Sequence, residues 1–276
     1  MHKIKGDDMA NENRKIKFIP YVCCGDPSIG FTEKLILALA PHSYAIELGI
    51  PFSDPIADGK TIQFAGFRAL KNGVKKEKIF EMVARIKPKI KCKLIFMTYY
   101  NIVYSYGVEN FLKKMNEIGV EGLIVPDVPF NEDRELTESA KKHNISIISL
   151  VSQNTPDARV ARILEGTQMY AYLVAYYGIT GERRNVDEKS VEFVRRMRSL
   201  SKEYGNRELI VGFGISNGEQ VERYAEAGAD GVIVGSALIN VYSKYIEEKD
   251  GKFAFAKDSE EKALEEVEKF AEELLK

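Results

Sequence analysis

Eight short apolar runs recur along the chain, and they restrict its fold more than any other feature of the sequence. Each run is rich in β-branched and aromatic residues, and most contain four or more consecutive apolar residues without polar alternation. Strands buried on both faces of a parallel sheet have this character, whereas half-exposed antiparallel strands alternate apolar and polar residues. The runs are KFIPYV, YAIELG, KLIFMTY, GLIVPD, ISIISLV, MYAYLV, ELIVGFG and DGVIVG. The sequence therefore predicts a parallel sheet of eight strands.

Segments with helical spacing lie between these runs, so a strand followed by a helix repeats along the chain. The segments cover residues 32–40, 76–86, 109–118, 132–142, 157–164, 191–204 and 218–227. Such alternation specifies right-handed parallel crossovers, which form either a closed barrel or an open doubly wound sheet. Because eight units match the closure of a (βα)8 TIM barrel, the barrel is the predicted fold and the open sheet is the alternative.

The length of the chain suits one such barrel, because these barrels commonly contain about 250 residues in one domain. We expect residues 1–15, which are polar, to form a loosely ordered lead-in and residues 16–276 to form the barrel domain. Residues 244–257 are charged and have no clear period, which predicts a surface connection. Residues 258–276 place an apolar stripe opposite acids and lysines, which predicts an extra amphipathic C-terminal helix.

Charge and cysteine content argue against several classes of function. Lysine plus arginine number 40 against 41 aspartate plus glutamate, so the net charge does not favour binding to nucleic acid or to an acidic membrane surface. No apolar run approaches the roughly 20 residues of a membrane-spanning helix. The three cysteines lack the C-x-x-C spacing of a zinc site, so we predict no metal site and a reducing, cytoplasmic compartment.

Acidic residues follow two of the predicted strands, at the barrel face that carries the reactive groups. Residues 47–59, ELGIPFSDPIADG, contain three acids and no lysine or arginine, so this loop is too acidic to hold a phosphate. Glu47 ends an apolar run, and partial dehydration should raise its pKa and suit it to donate a proton. The alternatives are a Glu47 bonded to backbone amides, an Asp58 that only forms an Asp-Gly turn, and an Asp127 that caps the following helix.

Two glycine turns follow the last two predicted strands. Residues 212–216, GFGIS, follow the seventh strand, and Gly235-Ser236 follows the eighth and opens a helix. Phosphate sites in barrels frequently use these two loops, because glycine lets backbone N–H groups approach the oxygens. Tight turns without a ligand are the alternative. After the sixth strand, residues 178–185, GITGERRN, form a glycine-hinged charged segment that we interpret as a lid over the barrel mouth.

Several motifs together resemble the tryptophan synthase α subunit family, from residue 18 to about residue 240. They are FIPYVCCGDP, ELGIPFSDPIADG, YYNIVYSYG, VPDVP, YGITG, GFGIS and GADGVIVGSA. The resemblance implies cleavage of indole-3-glycerol phosphate to indole and glyceraldehyde 3-phosphate. It places Glu47 at the position of the acid and base that moves protons at indole C3 and at the glycerol hydroxyl. It places Asp58 at the position of the carboxylate that binds the indole N–H.

The same resemblance implies further contacts with substrate and with a partner. The substrate-binding positions are Tyr21, Met97, Tyr99, Asp127, Tyr172, Thr180, Gly181, Gly214, Gly235 and Ser236. Asp54, Pro55 and Asn101 resemble contacts with a tryptophan synthase β subunit, in an assembly of two α and two β subunits. The resemblance implies no cofactor in this chain, because pyridoxal phosphate belongs to the β partner that receives the indole.

Another phosphate-binding barrel of aromatic amino-acid synthesis is the nearest alternative. An indole-glycerol-phosphate synthase would need a lysine acid at a strand end, and a Schiff-base aldolase would also need a lysine. The strand ends here supply Glu47 and Asp127 instead. A partner-activating subunit that is weakly active alone is a further alternative. Two residues depart from the family pattern: Lys60, where proline is common, and Tyr176, where many members have arginine or a smaller residue.

Overall fold

The structure, a computed structural model, describes residues 16–175, 187–212 and 214–276, and its main sheet is parallel. Within these ranges the sheet contains β1 (Lys17–Cys23), β2 (Ala45–Gly49), β3 (Lys93–Met97), β4 (Gly122–Ile124), β5 (Ser146–Ile147), β6 (Leu150–Ser152), β7 (Ala171–Val174), β8 (Leu209–Gly212) and β9 (Gly231–Val234). Their order in the sheet is β5-β4-β3-β2-β1-β9-β8-β7-β6. The eight predicted runs therefore all contain strands of this sheet.

The strands β5 and β6 are two halves of one stretch, and this stretch closes the sheet into a barrel. β5 pairs with β4, whereas β6 pairs with β7 on the other side. The two residues between β5 and β6 also bond one to each side. The Ile148 amide donates to the Leu123 carbonyl at 2.9 Å, and the Ser149 carbonyl accepts from the Tyr172 amide at 3.1 Å. The predicted (βα)8 barrel is confirmed, and the open doubly wound sheet is wrong.

Helices surround the barrel, and every predicted helical segment overlaps one of them. In the described ranges they are α1 (Ile29–Leu39), α2 (Lys60–Lys71), α3 (Lys76–Ile86), α4 (Tyr100–Tyr106), α5 (Val108–Glu117), α6 (Arg134–Lys142), α7 (Asp157–Gly166), α8 (Glu188–Glu203), α9 (Gly218–Glu226), α10 (Ser236–Ser243) and α11 (Glu260–Leu274). Side chains of Ser28, Asp133 and Asn217 accept backbone N–H bonds at the starts of α1, α6 and α9. These bonds satisfy amides that have no partner within the helix. No helix in the described part of the chain is long and apolar enough to cross a membrane.

Helix α2 was not among the predicted segments, because its pattern is the reverse of an ordinary amphipathic helix. Its buried face consists of small residues and one charged residue, Arg68. Phe64 and Phe67 are instead half-exposed on the outer face. The search for a buried apolar stripe, which identifies most helices, therefore finds none here. Helix α4 was also missed, and it is only two turns long.

Residues 244–257 differ from the surface connection that the sequence predicts, because they contain an antiparallel hairpin. Its strands are β10 (Ile246–Lys249) and β11 (Lys252–Phe255). Asp250 and Gly251 form the turn with φ values of 53° and 74°, and paired positive φ values characterise the type I′ turn that Asp-Gly favours. The Asp-Gly dipeptide was the sequence signal for this hairpin, but the charged flanks obscured the two strands.

The predicted C-terminal helix is confirmed as α11. Ala263, Val267, Ala271 and Leu274 are buried at helical spacing. They pack α11 against α10 and α1. The helix thus covers the outer side of the units that follow β9 and β1, as the apolar stripe indicates.

The hairpin is attached to the end of α2 by one side chain, and this attachment generates a stability prediction. Asn72 Nδ2 donates to the carbonyls of Pro27 and Phe253, each at 2.7 Å, and its Oδ1 accepts from the Phe253 amide at 2.9 Å. We expect Asn72→Ala to lower the free energy of unfolding by about 1–3 kcal/mol, because partly buried backbone groups lose their partners. Urea unfolding measures the change. As a control, the exposed Asn116→Ala on α5 should change it by less than about 0.5 kcal/mol. Equal effects of the two substitutions would show that Asn72 does not hold the hairpin.

Candidate active site

The interior of the barrel opens into a cavity near the carboxyl ends of the strands. The cavity has a volume of about 210 Å³ and is mainly apolar, which suits a small ring. It is lined by Ala57, Met97, Ile124, Pro126, Leu150, Tyr172 and Val174. Two of the predicted substrate-binding residues, Met97 and Tyr172, therefore lie on one cavity. Ala57 adds the loop that carries Asp58, which connects the cavity to the predicted catalytic acids.

Glu47 lies in the interior of β2, and its environment favours the protonated carboxyl group. In the strand register it is opposite Tyr21 on one side and Ile95 on the other. Its side chain is only 1% exposed, and its Oε2 atom forms no hydrogen bond with the residues that the structure describes. Burial, followed by repulsion from Asp58, raises the pKa of Glu47 to about 8. The alternative of a carboxylate satisfied by backbone amides does not hold for Oε2.

Asp58 is the second buried acid of this site, and a tyrosine holds it in place. It is 8% exposed, and burial raises the pKa of Asp58 to about 6 although a hydrogen bond from Tyr99 lowers it. The Tyr99 hydroxyl also accepts from the Ala57 amide at 3.0 Å. Phe52 stacks on the ring of Tyr99 with a centroid distance of 5.2 Å. Asp58 is therefore part of a fixed loop that folds onto β3, and it is more than an ordinary turn residue.

Two tyrosines complete the surroundings of the acids, and each requires a glycine on the next strand. A Cβ atom at Gly49 would overlap the hydroxyl of Tyr21, and one at Gly212 would overlap the hydroxyl of Tyr172. Both rings therefore lie across the backbone of a neighbouring strand. Burial raises the pKa of the Tyr172 hydroxyl, and Glu47 and Asp58 raise it further, which shows that this ring is close to both acids.

The two predicted phosphate turns lie at the ends of the neighbouring strands β8 and β9. Gly214 is exposed and has a φ of +79°, a conformation that favours glycine. Gly235 is the N-cap of α10, and Ser236 is the first residue of that helix. A Cβ atom at Gly235 would lie 3.2 Å from the Cβ of Tyr21, so the turn packs closely against β1. The turn therefore places backbone N–H groups of a helix start next to the interior tyrosine.

Some of the predicted site falls outside the described residues. Thr180 and Gly181, the lid segment at residues 178–185 and the departure Tyr176 belong to the range 176–186, which the structure does not describe. Phe213, between the two glycines of GFGIS, is likewise outside. The proposals for these residues rest on the sequence alone.

Asp127 lies at the exposed rim after β4, and its contacts differ from the helix-capping alternative. Its carboxylate oxygens accept from the Tyr100 amide at 3.0 and 3.2 Å, so it binds the start of α4. The helix that follows Asp127 in sequence is α6, and Asp133 caps it. The Tyr100 hydroxyl in turn donates to Asp133. The sequence analysis missed Tyr100, which joins α4 to the loop after β4.

The predicted partner residues lie on the rim of the same end of the barrel. Asp54 and Asn101 are exposed, and Pro55 is partly exposed. Two large apolar residues beside them were missed by the sequence analysis: Ile56 is 82% exposed and Tyr104 on α4 is 65% exposed. Exposed large apolar side chains next to polar ones are typical of a surface that another protein covers.

The described residues contain no group of three or more His, Cys, Asp or Glu side chains that could hold a metal ion. Cys23, Cys24 and Cys92 are unpaired and buried. Burial raises the pKa of each thiol above its usual value. These cysteines therefore resemble core residues more than reactive nucleophiles.

Comparisons with known proteins identify the family of this chain. The family profile described as tryptophan synthase alpha chain matches residues 8–275. The tryptophan synthase alpha chain of Thermococcus kodakarensis is 43% identical over 230 residues, which cover 83% of this chain and 90% of that protein. The Pyrococcus abyssi alpha chain is 42% identical over 234 residues, 85% of this chain and 93% of that protein. A chain from a structure of the Pyrococcus furiosus tryptophan synthase α2β2 complex is 39% identical, with a TM-score of 0.81 and coverage of 94% and 97%. This chain therefore belongs to the tryptophan synthase alpha chain family.

Proposed function

We propose that this chain is the α subunit of a tryptophan synthase and that it cleaves indole-3-glycerol phosphate to indole and glyceraldehyde 3-phosphate. The observation that carries the proposal is the pair of buried acids, Glu47 and Asp58, whose pKa values are raised to about 8 and about 6. At neutral pH one acid is then mainly protonated and the other mainly ionised. Carbon–carbon cleavage at an indole ring needs this combination of a proton donor and a carboxylate.

The two acids fit the successive proton transfers of a retro-aldol cleavage. Protonated Glu47 gives its proton to indole C3, and ionised Asp58 accepts the ring N–H bond and stabilises the positive charge that develops there. Glu47, now ionised, takes the proton of the glycerol hydroxyl. The bond between C3 and the glycerol carbon breaks, its electron pair restores the indole ring, and an aldehyde forms. Glu47 ends protonated, as it began.

The remaining contacts position the two ends of the substrate. Met97, Tyr172, Tyr21 and Tyr99 surround the apolar cavity or the acids, and we assign the indole ring to this region. Asp127 at the rim is a further substrate contact in this proposal. The phosphate binds at the turns of Gly214, Gly235 and Ser236, together with Thr180 and Gly181 of the lid. The N-terminus of α10 favours an anion there.

A tryptophan synthase β subunit is the partner in this proposal, in an α2β2 assembly. The contact is formed by residues beside Asp58 and on α4 that are exposed or, for Pro55, partly exposed: Asp54, Pro55, Ile56, Asn101 and Tyr104. Pyridoxal phosphate is the cofactor of the β subunit, and this chain uses its own acids without a cofactor. The unpaired cysteines fit the cytoplasmic location that completes the proposal.

The position of the lysines supports a lyase over the lysine-dependent alternatives. In the barrel strands of the described chain, the two lysines are Lys17 and Lys93, the first residues of β1 and β3. Both therefore lie at the end of the barrel opposite to the cavity. Lys17 is paired with Glu208, and Lys93 Nζ donates to the Tyr44 hydroxyl at 3.0 Å. Neither lysine can serve as the acid or the Schiff base at the catalytic end.

We expect Glu47→Gln to lower the rate of indole release by at least about 10²-fold, because the amide keeps the shape of the side chain but cannot transfer a proton. Indole formation is measured with saturating substrate and β subunit. Glycerol 3-phosphate affinity, measured by calorimetry, should stay within about twofold of the wild type, since the proposal assigns the phosphate to the turns after β8 and β9 and Glu47 belongs to β2. Near wild-type turnover in a folded variant would rule out Glu47 as the proton donor.

The two pKa values predict a bell-shaped dependence of kcat/KM on pH. The rate should rise as Asp58 loses its proton near pH 6 and fall as Glu47 loses its proton near pH 8. The measurement is kcat/KM across this range at constant ionic strength. A rate that keeps increasing well above pH 8 would mean that the ionised form of Glu47 starts the reaction, contrary to the mechanism above.

The partner contact is tested by Ile56→Ser, which removes an exposed apolar side chain without touching either acid. We expect the affinity for the β subunit to fall by about tenfold, or about 1.4 kcal/mol, because Ile56 is the most exposed large apolar side chain in the described part of the chain and a partner would remove it from water. Calorimetric titration of β subunit measures the affinity. The control is Asn116→Ala, an exposed position near the end of α5, the helix that leads into the start of β4 at the opposite end of the barrel. If Ile56→Ser binds as the control does, the β subunit docks on another face.

A further inference from the structure

A buried ion pair joins three elements outside the acids and the cavity. Arg68 on α2 forms a bidentate ion pair with Asp26, in which Nε donates to Oδ1 and Nη2 donates to Oδ2, both at 2.7 Å. The Tyr242 hydroxyl of α10 donates to Asp26 Oδ2 at 2.8 Å, and Arg68 Nη2 also reaches Ser243 Oγ at 2.8 Å. Asp26, Arg68 and Tyr242 are all at least nine-tenths buried. The loop after β1, α2 and α10 thus share one polar centre.

Stability alone is a weak reason for such a centre. Removing two charges from water is expensive, and apolar residues of similar volume often replace a buried ion pair without loss of stability. The geometry of the pair, by contrast, is specific, because a guanidinium and a carboxylate joined by two bonds permit little relative rotation. The centre therefore fixes how α2 and α10 lie against each other more than it adds to the free energy of unfolding.

The two helices lead directly to opposite ends of the proposed site. α2 begins two residues after Asp58, and α10 begins at Ser236 in the proposed phosphate turn. At a rise of 1.5 Å per residue, Arg68 lies about 12 Å from the start of α2, and Tyr242 lies about 9 Å from the start of α10. Over such short distances a helix moves as a rigid body, so a shift at the polar centre reaches Asp58 and the turn together.

The hairpin supports α2 from its other side. Asn72, at the end of α2, binds both Phe253 of β11 and the carbonyl of Pro27, the residue after Asp26. The ring of Phe253 contacts Phe64 and Phe67 with centroid distances of 6.0 Å each. The outer face of α2 is thus attached to the hairpin, and its inner face is attached to the polar centre.

We propose that Arg68 and Tyr242 are positioning residues that set the separation between Asp58 and the phosphate turn at Gly235 and Ser236. One molecule of indole-3-glycerol phosphate must bind Asp58 with its indole ring and the turn with its phosphate at the same time. The separation therefore determines whether such a two-ended substrate is held with its ring at the acids. A ligand that occupies only the phosphate turn does not depend on the separation. The inference rests on the proposed function, because that function assigns the two ends.

The test compares Tyr242→Phe with Tyr245→Phe. Tyr242→Phe removes one hydroxyl and leaves the ion pair, whereas Tyr245→Phe removes a hydroxyl that donates to Glu266 on α11 at 2.5 Å and joins neither end of the site. Two affinities are measured by calorimetry, for glycerol 3-phosphate and for a non-cleavable analogue that carries both an indole ring and a phosphate. Turnover with β subunit and the midpoint of thermal unfolding are measured for the same samples.

We expect Tyr242→Phe to lower kcat/KM and the affinity for the two-ended analogue by about tenfold, within the range that a displacement of about 1 Å produces. Glycerol 3-phosphate affinity should change by less than about twofold, and Tyr245→Phe should change neither affinity. Equal behaviour of the two variants would overturn the proposal. An equal loss of affinity for the two ligands would also overturn it, because that result places the defect in the phosphate turn alone.

A second variant separates position from stability. In the combined variant Asp26→Leu, Arg68→Met and Tyr242→Phe, apolar side chains replace both charges and the tyrosine hydroxyl of the polar centre. The proposal is supported if the folded triple variant keeps the wild-type midpoint of thermal unfolding but loses affinity for the two-ended analogue. It is overturned if the variant keeps both the midpoint and this affinity. A wild-type chain that releases no indole with β subunit present would refute the proposed function, and the ratio of the two affinities would still test the separation independently of turnover.

Discussion

Closure of the parallel sheet is the constraint on which the rest of the structure depends. The stretch of residues 146–152 bonds to β4 with its first half and to β7 with its second half, so neither edge of the sheet remains open there. Closure brings the carboxyl ends of all the strands around one mouth. Glu47 from β2, Tyr99 after β3, Tyr172 from β7 and the turn after β9 can then meet, although more than 180 residues separate the first from the last.

The interior of a closed barrel is also what raises the pKa of the acids. Glu47 lies on a strand that cannot move its carboxyl group toward water, and Asp58 lies on a loop that Tyr99 and Phe52 hold over the mouth. Because the folded-state pKa of Glu47 is above its unfolded value, its contribution to stability is fully present below the unfolded pKa and is lost as the pH rises through about 8. Burial of Glu47 therefore destabilises the fold at alkaline pH, and the same buried acid is the group that the proposed reaction uses.

Helix α2 shows how a helix outside the barrel positions a loop at the catalytic end. Its large aromatic residues face outward to the hairpin, and its charged Arg68 faces inward to Asp26. The directional contacts on both faces give this helix a defined position in addition to its packing. The loop of Asp58 is the direct continuation of this helix, so the position of the acid depends on contacts far from the cavity.

The sequence by itself determined the class of the fold and indicated the candidate acids. Short continuous apolar runs rich in β-branched residues are typical of strands buried on both faces, and the order strand then helix permits few topologies, so eight parallel units followed from local pattern. Glu47 at the end of such a run was already a candidate for a raised pKa. Only the tertiary structure decided the contacts of Arg68, Asn72 and Tyr100, the hairpin at β10 and β11, and the helix that Asp127 binds. These depend on residues distant in sequence, and no local period encodes which distant side chain a buried polar group will meet.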